Sequence, residues 1–186
     1  MEPIKLVTGA EIDSAAKAGG RAFQAPGTLL VRQLAPSCGA STFCALLCQD
    51  ALNQNRDAIV LCPLSDSHPY PDGTIVASSD GVMVLHALSE IVHAYQPLVV
   101  VIDSLRAQSW GDGRRTSTLL LRVERDVLQH GGLFILVTDA LNTPSVMAEQ
   151  ADWILELDEG FEYSLFVHGT GCKGTKWAIP TPTGTI

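Results

Sequence analysis

No segment of this sequence contains the roughly 20 consecutive apolar residues that a membrane-spanning helix needs. Residues 1–17 also lack the charged and apolar regions of a secretory signal peptide. Basic residues are few, because 12 Lys and Arg stand against 20 Asp and Glu, for a net charge of −8. Such a chain is not expected to bind nucleic acid broadly by charge alone. We therefore expect a soluble intracellular protein with no membrane partner, cytoplasmic, or nuclear if its source is eukaryotic.

Sequence motifs of common metal and covalent-catalysis sites are missing as well. Neither the HExxH motif of zinc proteases nor the GxSxG turn of serine hydrolases occurs. The histidines are scattered, with no evident pairing between them. They are His68, His86, His93, His130 and His168. The sequence therefore predicts neither a histidine metal centre nor a serine-hydrolase site.

The cysteines do not follow the pattern of a disulfide framework. They contain no CxxC pair, and their odd number would leave one unpaired in a secreted protein. They are Cys38, Cys44, Cys48, Cys62 and Cys172. Cys44 and Cys48 are four residues apart in an apolar stretch, so they can share one face of a helix. We interpret the cysteines as small buried hydrophobes.

Apolar residues make up 46% of the 186 residues, which is enough for a buried core. Four short and almost continuously apolar runs, at residues 28–34, 58–64, 98–103 and 133–138, predict strands buried on both faces. Apolar residues at helical spacing predict helices over 41–53, 81–95 and 116–129. This alternation predicts an α/β fold with a mainly parallel central sheet and helices on both of its faces.

The pattern changes after Pro144. Residues 153–157, 163–169 and 176–180 predict shorter strands, which we expect to form an antiparallel edge of the same sheet. No linker, low-complexity tract or internal repeat suggests a second domain. We predict one domain over residues 1–186, with a lead-in segment at 1–27, a core at 28–140 and C-terminal strands at 141–186.

A candidate phosphate-binding turn, residues 35–42, follows the first predicted strand. In the P-loop pattern GxxxxGK[ST], glycines let backbone N–H groups surround phosphates, a lysine meets the phosphate charge and a hydroxyl holds Mg²⁺. Here Ala35 and Ala40 occupy the glycine positions, Gly39 lies between them, Ser41 occupies the lysine position, and Thr42 keeps the hydroxyl. The same residues also suit an ordinary strand-to-helix turn capped by Ser or Thr.

Several segments resemble, in order, the RecA/KaiC/RadA group of P-loop ATPases. Residues 98–105 (LVVVIDSL) resemble the Walker B strand, whose acid, here Asp103, lies near Mg²⁺. Residues 8–9 (TG), 19–20 (GG) and 26–28 (PGT) are similar to the lead-in of that group. Residues 133–139 resemble its strand that ends at a polar sensor, 151–157 (ADWILEL) its AD-x-[VI]-L-x-L segment, and 171–186 its closing hairpin. The resemblance implies a RecA-like three-layer fold with a degenerate Walker A turn.

The same resemblance assigns roles to single residues. A glutamate after the second strand activates water in this group, and Asp66 is the only candidate for that role here. Lys173 is a counterpart of the cation that a neighbouring subunit supplies. Weakly bound Mg-ATP or ADP would use Thr42 and Asp103 as metal ligands, although Asp103 can equally be an ordinary polar residue at a strand end. Because Ser41 replaces the lysine, the resemblance implies a pseudo-ATPase that does not hydrolyse nucleotide.

One stretch of the chain is locally basic. Arg106, Arg114 and Arg115 follow the Walker B-like strand, and we predict that the last two lie with Trp110 in a Gly-rich loop. Arginine beside an aromatic side chain suits nucleic acid or an acidic partner. A solvated helix face with ion pairs within the helix is the alternative.

Two functions therefore remain open at the level of sequence. The first is a non-hydrolysing subunit that forms homo- or hetero-oligomers with RecA-type proteins, with DNA recombination and repair as the preferred context. In such a complex nucleic acid is a possible partner, and an accessory ring subunit of the Elongator type is a further variant. The second is a KaiC-like nucleotide-binding ATPase or signalling protein with a divergent P-loop.

Overall fold

The computed structural model describes residues 4–5, 24–63, 69–78, 83–105, 113–139, 143–159 and 163–167. Two short strands, β1 (Ile4–Lys5) and β2 (Gln24–Ala25), form a small antiparallel pair. The other strands form one seven-stranded sheet. They are β3 (Gly27–Gln33), β4 (Ala58–Cys62), β5 (Ile75–Ser78), β6 (Val99–Leu105), β7 (Leu133–Asp139), β8 (Trp153–Leu157) and β9 (Tyr163–Val167).

The helices of the described residues lie between these strands along the chain. They are α1 (Ala40–Asn53), α2 (Met83–Tyr95), α3 (Gly113–Gln129) and α4 (Ser145–Gln150). Within the described residues, no helix combines the length and the apolar character needed to cross a membrane.

The strand order places the first core strand inside the sheet. The order is β5-β4-β6-β7-β3-β8-β9, and every neighbouring pair is parallel except β8 with β9. The predicted parallel sheet with an antiparallel edge is therefore confirmed. Because β3 and β6 flank β7, their carboxyl ends lie at the same edge of the sheet, two strand spacings or roughly 10 Å apart. That edge holds both the turn after β3 and the acid on β6.

Helices cover both faces of the sheet, as predicted. Side chains of successive strand residues point to opposite faces, so Leu29 packs in the cluster that contains Phe43 of α1. Leu30 packs in the other cluster with Leu88 of α2 and Val123 of α3. Burial on both faces explains why the strands read as continuous apolar runs.

Element boundaries differ from the prediction where tertiary contacts define them. Helix α3 begins at Gly113, three residues before the predicted start, so Arg114 and Arg115 belong to its first turn and not to a loop. Strand β6 continues past Asp103 to Leu105. Strand β5 and helix α4 were not predicted, because they have only four and six residues and too little periodicity to be recognised. The predicted strand at 176–180 lies outside the described residues.

Candidate functional site

The turn between β3 and α1 surrounds a cleft of about 340 Å³ at the carboxyl edge of the sheet. Residues 37–42 line this cleft together with Gln33 and Pro69. The backbone of Ser37 and Gly39 has φ angles of 57° and 86°, in the left-handed region that lets a turn curl tightly. The structure therefore brings the predicted residues 39–42 to one cleft, whereas Ala35 is buried beside it and does not line it.

Helix α1 begins in this cleft without a side-chain cap. Its N-cap residue is Gly39, whose carbonyl oxygen accepts a hydrogen bond from the N–H of Phe43 at 2.9 Å. The alternative prediction, a turn capped by a Ser or Thr side chain, is therefore wrong, because a glycine in the left-handed region occupies the cap position. Ser41 and Thr42 are half-buried in the first turn, where the helix dipole favours an anion. The described lining of the cleft contains no Lys or Arg.

Asp103 lies inside β6 and is 4% exposed. Its Oδ2 accepts a hydrogen bond of 2.6 Å from the hydroxyl of Tyr70, which is itself buried. Burial raises the pKa of Tyr70 far above its ordinary value, and the negative charge of Asp103 raises it further. Tyr70 therefore remains protonated and acts as the donor to the carboxylate.

Two buried thiols lie near this carboxylate. Cys44 and Cys48 are one turn apart on α1, and burial followed by the charge of Asp103 raises both of their pKa values, that of Cys48 to about 12. The thiols therefore stay neutral at physiological pH. The interpretation of the cysteines as buried hydrophobes is confirmed for the four within the described residues. Those residues contain no group of three or more His, Cys, Asp or Glu that could hold a metal ion.

The strand that resembles the sensor strand also ends at this edge. Thr138 on β7 is fully buried, and its hydroxyl lies 2.9 Å from the hydroxyl of Thr143. Because β7 lies between β3 and β6, Thr138 is at the same edge as the turn and Asp103. This edge therefore holds hydroxyl groups and one buried carboxylate.

Among the predicted site residues that the structure describes, Asp103, Arg114 and Arg115 do not line this cleft. Arg114 and Arg115 are exposed at the start of α3. Asp66, Arg106, Trp110 and Lys173 lie outside the described residues, so their predicted roles stay predictions. Sequence reasoning missed Tyr70, since a tyrosine between two prolines carries no spacing that relates it to Asp103.

Two of the histidines, His93 and His130, are paired, although the sequence showed no evident pairing. Nδ1 of His93 lies 2.9 Å from Nε2 of His130, and Nε2 of His93 lies 3.7 Å from Oδ2 of Asp126. The same carboxylate oxygen accepts a hydrogen bond from the hydroxyl of Ser89. These residues meet because α2 and α3 pack side by side, a contact that sequence separation conceals. They lie at the amino edge of the sheet, away from the cleft.

Comparisons with known proteins agree with the described architecture. No family model matches the chain, and no curated protein matches it in sequence. Among solved structures, the chain is similar to a KaiC-like protein from the hyperthermophilic archaeon Pyrococcus horikoshii OT3. The TM-score is 0.66 at 17% sequence identity, over 94% of this chain and 93% of that chain. The fold is therefore RecA/KaiC-like, and at this level of identity the similarity concerns the fold alone.

Proposed function

We propose that this RecA-like chain is a non-hydrolysing subunit that assembles with other RecA-type proteins, with DNA recombination and repair as its context. The observation that carries this proposal is the hydrogen bond from Tyr70 to Asp103 beside a turn that has Ser41 at the lysine position. Both groups that would act on a phosphate and its Mg²⁺ are altered. The cation is missing, and one oxygen of the carboxylate already has a donor.

Phosphoryl transfer needs little covalent chemistry from the protein, so catalysis depends on positioning and on stabilising the developing negative charge. A lysine and a metal ion normally supply that stabilisation. In this chain, a buried carboxylate that accepts a hydrogen bond from a tyrosine gains part of its stabilisation from the protein and less from a metal ion. Hydrolysis is therefore expected to be absent.

The missing lysine also favours assembly with a partner. RecA-type domains act in rings or filaments in which neighbouring subunits complete each other's sites. Arg114 and Arg115 are the exposed basic pair of the described residues at the start of α3. With a net charge of −8 on the whole chain, any nucleic-acid contact must be local and supported by a partner.

The second candidate function is that of a KaiC-like nucleotide-binding protein. It is supported by the left-handed turn and the cleft of about 340 Å³ at the start of a helix, since the amino end of a helix favours an anion. In that case Thr42 would hold Mg²⁺, and Asp103 would interact with the hydrated metal ion through Oδ1, the oxygen that does not bind Tyr70.

Thermal melting of the purified chain with and without Mg-ATP and Mg-ADP separates the two functions. A ligand that binds only the folded state stabilises it by about 2.7 kcal/mol at a hundredfold excess over Kd. The first function predicts no shift of Tm at millimolar nucleotide and no phosphate release. A shift that disappears in Asp103→Ala but persists in the control Asp57→Ala, an exposed acid at the opposite edge, would favour the second function.

Sedimentation velocity tests the assembly. We expect the chain to sediment with a RecA-type ATPase of the same genome, whether or not nucleotide is present. The complex that contains the native chain should then bind single-stranded DNA more tightly than the complex that contains the double variant Arg114→Glu/Arg115→Glu. Sedimentation as a lone monomer under all of these conditions would contradict the proposal.

A further inference from the structure

A second and larger cleft lies at the amino edge of the sheet, opposite the candidate nucleotide site. Its volume is about 690 Å³, and it lies between the start of β3, the second half of α3 and the segment before β8. Two carboxylates, Glu124 and Asp152, line it together with the apolar side chains of Leu121 and Leu128. The candidate nucleotide site shares no residue with this cleft.

The carboxylate of Glu124 is fixed by a hydrogen bond to one of its two oxygens. It is 5% exposed, and its Oε1 accepts a hydrogen bond of 2.6 Å from the hydroxyl of Thr28. Within the described residues, this is the only hydrogen bond of the Glu124 carboxylate, so its other oxygen, Oε2, has no donor there. Oε2 is not fully buried, so it is open to the cleft that Glu124 lines and can accept a hydrogen bond from a ligand there.

Thr28 links the two carboxylates. Its hydroxyl binds Glu124, and its backbone N–H donates a hydrogen bond of 2.9 Å to Oδ2 of Asp152. Burial raises the pKa of Glu124, the hydrogen bond from Thr28 lowers it, and the negative charge of Asp152 raises it again. The carboxylates of Glu124 and Asp152, which both bind Thr28, therefore repel each other. A bound cation would reduce that repulsion.

The other side chains that line the cleft bear on the kind of cation it could bind. Arg125 also lines the cleft, but it is exposed and forms no ion pair with another described residue. The described residues contain no group of three or more His, Cys, Asp or Glu that could hold a metal ion. The side-chain amides of Gln129 and Gln150 also line the cleft, and Leu121 and Leu128 provide apolar surface.

We propose that this cleft binds a primary ammonium group carried on an aliphatic chain, namely a lysine side chain or a small polyamine. The ammonium group donates hydrogen bonds to Glu124 and to the amide oxygens of Gln129 and Gln150. Its methylene groups lie against Leu121 and Leu128, as the stems of lysine side chains do on apolar surfaces. The proposal does not depend on the nucleotide chemistry of the other edge.

An NMR titration of the ¹⁵N-labelled chain with n-butylammonium chloride tests the proposal. We expect saturable shifts of the amides of Thr28, Glu124 and Leu128 at millimolar probe or below. The neutral analogue n-butanol and tetramethylammonium, which cannot donate a hydrogen bond, should give none. Glu124→Gln keeps an acceptor for Thr28 but removes the charge, so it should weaken binding about tenfold or more. The control Glu90→Gln, an exposed acid on α2, should bind like the native chain.

A second variant guards against loss of folding in Glu124→Gln. Arg125→Glu changes an exposed residue at the rim and should strengthen binding of n-butylammonium several-fold by adding negative charge. Two results would overturn the proposal. The first is amide shifts that do not saturate with n-butylammonium, and the second is equal affinity for it in the native chain, Glu124→Gln and Arg125→Glu. Where binding is specific, tighter binding of the peptide acetyl-Gly-Lys-Gly-amide than of spermidine assigns the site to a lysine of a protein. The reverse order assigns it to a polyamine.

Discussion

The hydroxyl of Tyr70 donates a hydrogen bond of 2.6 Å to Oδ2 of Asp103, and both side chains are buried. The bond connects the segment between β4 and β5 with the interior of β6. It stabilises a carboxylate that would otherwise lie in an apolar interior without compensation. Asp103, which resembles the Walker B acid in sequence, is therefore also a structural anchor.

Loss of the tyrosine hydroxyl should destabilise the protein. We expect Tyr70→Phe to lower the free energy of unfolding by about 1–3 kcal/mol, because a buried charged acceptor loses its donor. Urea unfolding monitored by circular dichroism measures the change. Tyr95→Phe is the matched control, since Tyr95 is 54% exposed and should change stability little. Equal stability of both variants would show that Asp103 does not need this donor.

Restoring the missing cation should restore nucleotide binding before it restores hydrolysis. We expect Ser41→Lys to bind ATP about tenfold more tightly, or about 1.4 kcal/mol, than the control Ser41→Ala. Phosphate release should remain absent, because Asp103 still accepts its hydrogen bond from Tyr70. Calorimetry measures the binding and a phosphate assay the turnover. Turnover by Ser41→Lys alone would show that Tyr70 does not restrain the carboxylate.

Glu124 should make stability depend on pH. Its pKa in the folded protein is raised above the ordinary 4.5, so the folded state holds the proton more tightly than the unfolded chain does. Its contribution to the free energy of unfolding is therefore fully present below the ordinary pKa and is lost as the pH rises through the raised one. Glu124→Gln should flatten this decline, whereas the exposed Glu90→Gln should not. Urea unfolding from about pH 4 to about pH 8 measures both slopes. Parallel curves for the native chain and Glu124→Gln would contradict the expectation.

Two glycines should differ in their tolerance of a methyl group. A Cβ at Gly27 would lie 2.6 Å from Cζ3 of Trp153 and 2.9 Å from the carbonyl oxygen of Gln24. We expect Gly27→Ala to cost about 1–3 kcal/mol, because the indole ring is fully buried and cannot move aside. At Gly73 the nearest atoms belong to Leu52 at 3.8 Å, but φ is +95°.

Gly73→Ala should therefore cost only the strain of the left-handed backbone, about 1–2 kcal/mol. Thermal denaturation of both variants checks the difference. A larger effect at Gly73 than at Gly27 would mean that the turn, and not the packing of Trp153, limits stability at these positions.

Residues near each other in sequence carried most of the information about the fold. The run at 133–138 is apolar at every position before its final threonine because β7 is buried on both faces, so the strand was visible without any knowledge of its neighbours. The strand Trp153–Leu157 was predicted with its observed bounds, since its ends coincide with a polar turn and an acidic residue. The turn 35–42 was located for a related reason, because a small-residue segment between a strand and a helix is a local feature.

Contacts between distant residues could not be read from the sequence. The pairing of Tyr70 with Asp103, of His93 with His130, and of Thr28 with both Glu124 and Asp152 depends on which strands and helices become neighbours. Strand order and helix packing follow from burial summed over the whole sheet, and no spacing along the chain encodes them. The chain's own pattern of apolar and polar residues thus defined most of its strands, most of its helices and the place of a phosphate-type turn. Only the packing of the sheet and its helices brought Tyr70 to the buried Asp103 and formed the cleft beside Glu124 at the opposite edge.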